Sequence, residues 1–355
     1  MIDYCVEWSL NRERSWSGTT KSLFDALCKK ADVRDCNLRL SSSYIACAVM
    51  NILDIPDFYI RRVKKQSSRY WKQSQHGNVI FKFSEAPFPK GGERHYSYQD
   101  MPLRFVDELA SSGSPLFNIS GFSQFPKAAI HRRALQHDDM YRHCSGIFTM
   151  GAWMRNYMIE VMELPPEKVF HVGGGYNSFA NCPEKRHGNK FLFIGRDFKR
   201  KGGDLVIEAF SILHSKHPDL SLTVAGSRNR NDIPGVTFLD DVDKEEVREL
   251  YATHDVFVMP SRYEPYGLVF QEARASGLPC IGMDRFEMPY FIEDHVTGAL
   301  LRSESPHELA ELMLEVIDSS DIRNEASRRA ESFQNSVSWD AVADRILKVI
   351  YQGQQ

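Results

Sequence analysis

Residues 256–277, VFVMPSRYEPYGLVFQEARASG, decide how the rest of the chain is read. The apolar run Val256–Met259 predicts a strand that breaks at Pro260, crosses a short turn and restarts as a helix near Tyr266 or Gly267. Glu264 falls in the turn, and Glu272 falls about a turn and a half inside the helix. A parallel strand that delivers its carboxyl end to a helix amino terminus is where open α/β sheets place ligands. The first N–H groups of such a helix, here those of Gly267, Leu268 and Val269, lack intrahelical acceptors and, with the helix dipole, suit a phosphate. Taken alone, the stretch fits two readings: an ordinary βα turn with two solvated glutamates, or an anion cradle flanked by carboxylates.

The sequence around it is strongly patterned. Lys190–Ile194 (KFLFI) reads as a buried strand, followed by the basic, glycine-rich turn GRDFKRKGG and a helix from Asp204 to about Lys216. Strands are expected at Leu220–Ala225, Val236–Leu239 and Pro279–Gly282, with a helix over Lys244–His254, two closing helices, and an amphipathic last helix from Trp339 to Tyr351. This alternation predicts a parallel sheet covered by helices on both faces. If both turns sit at carboxyl strand ends of that sheet, Arg196 and Lys201 face the same crevice as Glu264 and Glu272. Two cations beside a helix amino terminus make a diphosphate site without needing a metal. A carboxylate inside the helix suits vicinal hydroxyls such as those of a ribose. The plain alternative for Arg196 and Lys201 is a solvated basic loop. No H-E-x-x-H or Cys/His ligand spacing accompanies the two turns, and no D-x-D lies within them, so no metal site is expected.

The first half also alternates. Strands are expected at Ile2–Trp8, Cys36–Leu40, Val79–Phe83, Arg94–Tyr98 and Gly146–Met150, and helices at Thr19–Lys30, Phe122–His143 and Gly151–Met162. Thr19 or Thr20 is placed to cap the first helix, and Gly18 before it lets backbone approach a ligand. Glu85 and Asp100 follow strands and either point into a crevice or cap helices. The strand VFHVGGG, ending at Gly175, leads into the polar, aperiodic segment Tyr176–Asn189, which reads as a domain boundary. With 355 residues the chain is too long for one core. The seven cysteines are scattered without C-x-x-C spacing, no signal peptide is visible, and no apolar run is long enough to span a membrane. A cytoplasmic location is expected. Residues 1–180 carry 23 Lys+Arg against 18 Asp+Glu, whereas residues 181–355 carry 21 against 29. The basic half therefore suits an anionic neighbour; its densest run, Arg61–Lys72 with Tyr70 and Trp71, is either a solvated helix face or a contact for an anionic membrane surface. No nucleic-acid partner is expected.

FIGRDFKRKGGDLVIEAF, LSLTVAG and VFVMPSRYEPYGLVFQEARASGLPCIG together resemble the retaining nucleotide-sugar glycosyltransferases of family 4. The resemblance covers the E-x7-E pattern as Glu264 and Glu272 and the G-R-x4-K-G pattern as Gly195, Arg196, Lys201 and Gly202. SGIFTMGAWMRNYMIE and PPEKVFHVGGGYN resemble that family's last amino-domain elements and crossing linker, and WDAVADRILKVIY resembles its returning helix. It implies the GT-B architecture, two Rossmann-like doubly wound α/β domains facing a central cleft. These would be residues 1–176 for the acceptor, 177–338 for the nucleotide-sugar donor, and a helix over 339–355 packing back on the first. It also implies roles: Arg196 and Lys201 on the donor diphosphate, Glu272 on the ribose and Glu264 facing the sugar. The turn from Tyr266 through Gly267, Leu268 and Val269 would meet sugar and phosphate. Gly18 and Gly195 would let backbone approach the donor, Val242 would border the base pocket, and Asp100 would face the reacting centre. The reaction implied is transfer of a hexosyl group, with retention and without a metal or other cofactor, from a nucleotide-diphosphate sugar to a glycan or lipid-linked acceptor. Polysaccharide or lipopolysaccharide synthesis at the inner face of a membrane would be its setting. A single glycine at Gly18, Asp241 where a glycine is common, and GGGYN in the linker depart from the pattern. A catalytically silent nucleotide-sugar binder and a sugar-nucleotide epimerase of the same architecture are the alternatives.

Overall fold

A computed structural model of the chain describes residues 1–37, 79–82, 94–181, 188–227 and 232–352. It divides into two compact units, Met1–Gly174 together with Trp339–Gln355, and Gly175–Ser338. Each is a doubly wound α/β unit built on one parallel sheet.

In the first unit the strands are β1 (Ile2–Val6), β2 (Val33–Asn37), β3 (Val79–Lys82), β4 (His95–Gln99), β5 (Gly146–Thr149) and β6 (Val169–His171), in the order β2-β1-β3-β4-β5-β6. Inner parallel strands are covered on both faces, so they are apolar and aromatic rather than alternating. Tyr4, Phe81, Phe148 and Tyr96 form a run of stacked rings with centroids 5.4, 5.9 and 5.2 Å apart. Tyr4 also donates its hydroxyl to the Thr20 carbonyl at 2.7 Å, which pins the first turn of the helix Thr19–Cys28 to β1. The last helix, Trp339–Gln352, belongs to this unit. It buries Trp339, Val342, Ala343, Ile346, Leu347 and Ile350 and pairs Asp340 with Lys29 and Asp344 with Lys30.

Three expectations shift here. The second strand begins at Val33 rather than Cys36, with residues 38–40 outside the described residues; as described, Val33–Asn37 is an edge strand, only half-buried, and so lacks an apolar run. The helix expected from Phe122 starts at Lys127, because Pro126 holds its N-cap position in an extended conformation. Neither Thr19 nor Thr20 caps the first helix: the cap is Gly18, in the left-handed region, and both threonines are buried. Glu85 and the run Arg61–Lys72 lie outside the described residues.

The second unit contains β7 (Lys190–Ile194), β8 (Ser221–Ala225), β9 (Val236–Leu239), β10 (Val256–Met259), β11 (Cys280–Met283) and β12 (Gly298–Leu301), in the order β12-β11-β10-β7-β8-β9. The chain runs outward from β7 to one edge, then returns to pair β10 beside β7, with Phe257 opposite Leu192. That reversal is a topological switch point, and it lies between the two strands whose exits carry the glycine-rich turn and the E-x7-E turn. Leu192, Phe193, Phe257 and Val258 are fully buried in these central strands. Burying each such side chain stabilises the folded unit by about 1.5–3 kcal/mol. The edge strand β12 was not expected from the sequence; four residues beginning with Gly298 are too short to stand out.

Candidate active site

Glycines bring the two turns of the second unit together. Gly202 has φ +77°, and a side chain there would place its first carbon 2.3 Å from the Pro260 carbonyl oxygen at the end of β10. Only glycine allows that approach. A carbon added at Gly195 would fall 2.5 Å from Lys201 Cδ, so this glycine makes room for the lysine stem to turn inward. Arg262 then clips the turns to each other. Its backbone N–H donates to the Arg200 carbonyl at 2.9 Å, and its guanidinium reaches Lys199 O (2.5 Å), Asp204 (2.6 Å) and Glu304 (2.7 Å).

The charged groups held by this frame are close. Lys201 Nζ lies 3.3 Å from Glu264 Oε2, and Arg200 Nη1 lies 3.5 Å from the same oxygen. Arg200 is fixed by Asp197 (2.8 Å) and by donation to the Tyr263 carbonyl (2.6 Å). Arg200 is a member of the cluster that the sequence reading passed over. Its signal was present: Asp197 and Arg200 stand three apart in a tight turn and can hold each other. Arg196 is placed differently from the expectation. It does not converge on Glu264, but extends into solvent with Nε 3.7 Å from Asp241.

Past the turn, Gly267 takes φ +90° and caps the helix Leu268–Ala275 without a side-chain acceptor. Phe270 N–H donates back to Gly267 O, while those of Gly267, Leu268 and Val269 precede the first intrahelical bond. Tyr266 is different from its neighbours. Its ring is buried edge-on against Phe291, and its hydroxyl accepts from Gln271 at 2.7 Å, so only its main chain borders the turn.

Glu272 is buried inside the same helix. Oε1 accepts from the Asn177 N–H at 3.2 Å, and Oε2 lies 3.2 Å from the Tyr251 hydroxyl, which is equally close to the Val269 carbonyl. Burial pushes its carboxyl up to about 7, against the opposing pull of these hydrogen bonds and of the Lys201 charge. Neither partner was visible in the sequence. A main-chain donor carries no residue signature, and Tyr251 sits on another helix.

Val242 lines a cavity of about 340 Å³ with Leu239, Asp241, Glu246 and Leu250. Asp243, next along, forms a capping box with Glu246 that fixes this edge of the pocket. Gly18 and Asp100 lie in the other unit. Gly18 (φ +86°) ends a run in which Trp16 (φ +45°) and Ser17 (φ +57°) are also left-handed. Non-glycine residues held there store strain, which is characteristic of backbone shaped for a ligand. Asp100 follows β4 directly and is not a helix cap, since Pro102 occupies that position for Leu103–Ser111. Among the described residues, no group of three or more His, Cys, Asp or Glu is placed to hold a metal ion, and no helix is long and apolar enough to cross a membrane.

Two doubly wound units, the second with a switch-point cluster of cations, carboxylates and a helix amino terminus, define a protein of the GT-B fold. Residues 178–333, nearly the whole second unit, match the family Glycosyl transferases group 1. Spore coat protein SA of Bacillus subtilis (strain 168) is 32% identical over 187 residues, 46% of this chain and 49% of that protein. A D-inositol 3-phosphate glycosyltransferase of Corynebacterium aurimucosum is 29% identical over 180 residues, 46% of this chain and 43% of that protein. The chain thus spans under half the length of these curated relatives in the matched region. The fold is shared over nearly the full length with Anabaena Alr3699/HepE in complex with UDP-glucose, at a TM-score of 0.66 and 13% identity, covering 99% of each chain.

Proposed function

We propose that the protein is a retaining glycosyltransferase that moves a hexosyl group from a nucleotide-diphosphate sugar to a hydroxyl of a glycan or lipid-linked acceptor. The observation that carries this reading is the contact between the two turns at the switch point. Gly202 against Pro260 puts Lys201, Arg200 and Glu264 beside the amino terminus of the helix that holds Glu272. The relatives give the context: one is named a glycosyltransferase, and the solved HepE structure carries UDP-glucose.

In this reading the donor diphosphate lies between Lys201 and the N–H groups of Gly267, Leu268 and Val269. These stabilise the negative charge that grows on the departing nucleotide. Arg196, reaching outward from the same turn, adds its charge at the nucleotide end, where Val242 borders the base. Glu272, held by Asn177 and Tyr251, accepts from the ribose hydroxyls. Glu264, already neutralised by Lys201 and Arg200, turns toward the sugar as the diphosphate takes up the lysine. Asp100, from the first unit, faces the acceptor. A donor phosphate oxygen receives the acceptor proton as the sugar passes on the same face, so neither Glu264 nor Glu272 forms a covalent intermediate. Work on polysaccharide or lipopolysaccharide chains at the cytoplasmic face of a membrane is the setting we infer.

The test is sugar transfer and nucleotide release with a panel of uridine, guanosine and deoxythymidine diphosphate sugars. Removing one charge-stabilising donor costs about 10²–10³ in turnover. Lys201→Ala is expected to lose that much while its circular dichroism is unchanged. Wild-type protein that binds a donor but never releases nucleotide would make it a silent binder and overturn the proposal.

A further inference from the structure

A second cavity, of about 460 Å³, lies within the same unit and shares no lining residue with the charged turn. Its walls come from the Leu268–Ala275 helix, from Met288–Phe291 with the residues after it, and from the helix Ser320–Val337. Arg274 forms its floor. The guanidinium lies over two rings, 3.8 Å from the centroid of Phe333 and 5.2 Å from that of Phe291. Contact with ring faces holds a planar guanidinium while leaving its N–H groups available to acceptors.

Among the described residues, two of the three arginines that line the cavity are held directly by carboxylates. Arg328 is bound through two nitrogens to Glu325, at 2.6 and 2.7 Å. Arg329 is shared between Glu325 and Glu293, each at 2.6 Å. Two arginines thus face two glutamates. Among the described residues, Arg274 has no carboxylate within ion-pair distance; buried Glu287 influences its charge from farther away. Among the described residues its acceptor is the side-chain oxygen of Gln271, at 3.1 Å. Burial lowers the guanidinium to about 10, so it remains charged at neutral pH. Arg274 is half-buried, and none of its nitrogens is both buried and without a partner, so its remaining donors open on the cavity, where an acceptor can reach them.

We propose that this cavity binds a small anionic molecule, a phosphate monoester or carboxylate, whose charged end takes the open edge of Arg274. Its body would lie between Tyr290 and the Ser320–Val337 helix, where Tyr290 is exposed and Ser332 lines the wall. The volume fits a ligand of monosaccharide size. The site stands apart from the switch-point cluster, but one chain of contacts joins them. Arg274 holds Gln271, Gln271 holds the Tyr266 hydroxyl, and Tyr266 leads into Gly267 at the helix start. Occupancy would therefore stiffen the helix that carries Glu272.

The test is thermal unfolding of the full chain with inorganic phosphate, glucose 1-phosphate or glucose, in wild type, Lys201→Ala and Arg274→Met. Lys201→Ala separates this site from the switch point, where phosphate is also expected to bind. The two anions should raise Tm by about 2–4 °C in Lys201→Ala at saturating concentration, and glucose should not. Arg274→Met in the Lys201→Ala background should abolish the rise. A second variant guards against misfolding: Ser332→Glu supplies a carboxylate from within the cavity wall, so it should raise the resting Tm and remove the response to added phosphate. Absence of any anion response in Lys201→Ala, or a response that survives both Arg274→Met and Ser332→Glu, overturns the proposal. Either result leaves the reading of the switch-point cluster untouched, because that reading is tested by nucleotide release.

Discussion

Replacing Glu272 by glutamine should make the protein more stable above neutral pH while weakening its grip on donor. Burial holds the carboxyl at about 7 instead of 4.5. An acid whose folded pKa is raised binds its proton more tightly in the folded state. The folded state therefore loses stability as pH climbs from 4.5 to 7, and the full cost is present above about 7. Raising a carboxyl over that interval corresponds to about 3 kcal/mol. Glutamine removes the ionisation but keeps the shape. Its oxygen can still accept from Asn177, and its amide can donate to Tyr251, whose own hydroxyl then turns fully to the Val269 carbonyl at 3.2 Å. Imperfect replacement of these bonds trims the gain, so Glu272→Gln should be about 1–3 kcal/mol more stable than wild type at pH 8 and within about 1 kcal/mol of it at pH 5. Urea denaturation followed by circular dichroism at the two pH values measures this, since other titrating groups cancel between the proteins. The same variant should bind the donor about 10–100-fold more weakly, because charge-assisted bonds to the ribose are lost. An equal difference at pH 5 and pH 8, or a less stable variant at pH 8, would refute burial as the origin of the raised value.

Other outcomes follow from the same geometry. Gly202→Ala must place a side chain at φ +77° and 2.3 Å from the Pro260 carbonyl, so it should cost about 2–5 kcal/mol in denaturation and impair donor binding as the turns part. Arg200→Ala leaves Lys201 as the sole cation beside Glu264 among the described residues and should lower donor turnover about tenfold, a loss read by steady-state kinetics. Asp100→Asn should reduce transfer by about 10–100-fold with donor affinity unchanged, as measured by titration calorimetry beside kinetics.

The central strands of the second unit were legible because buried parallel strands are unbroken apolar runs, and KFLFI and VFVM are of that kind. The edges were not. Val33–Asn37 is half-buried and mixed in character, and Gly298–Leu301 is too short to signal itself. Pro126 was a readable stop that the longer helical periodicity around it obscured. For the candidate site, spacing placed Lys201, Glu264 and the helix start in one neighbourhood, since β7 and β10 end side by side. Spacing could not give side-chain direction. Arg196 and Arg200 are both cations in one turn, and only packing sends Arg200 inward and Arg196 toward Asp241. The partners of Glu272 were hidden for a related reason: they are a main-chain N–H and a tyrosine from a separate helix.

The central claim, that the switch-point cluster holds a nucleotide-diphosphate sugar, is tested most directly by a thermal-shift screen of wild type, Lys201→Ala and Glu272→Ala against nucleotide diphosphates and their sugars. Ligand bound to the folded state alone raises Tm, by an amount that grows with the logarithm of its concentration over its Kd. The account predicts that diphosphates of one base stabilise the wild type, that Lys201→Ala loses the response to the diphosphate, and that Glu272→Ala loses most of the response to the nucleotide. No shift with any diphosphate, or a shift of equal size in all three proteins, would contradict it.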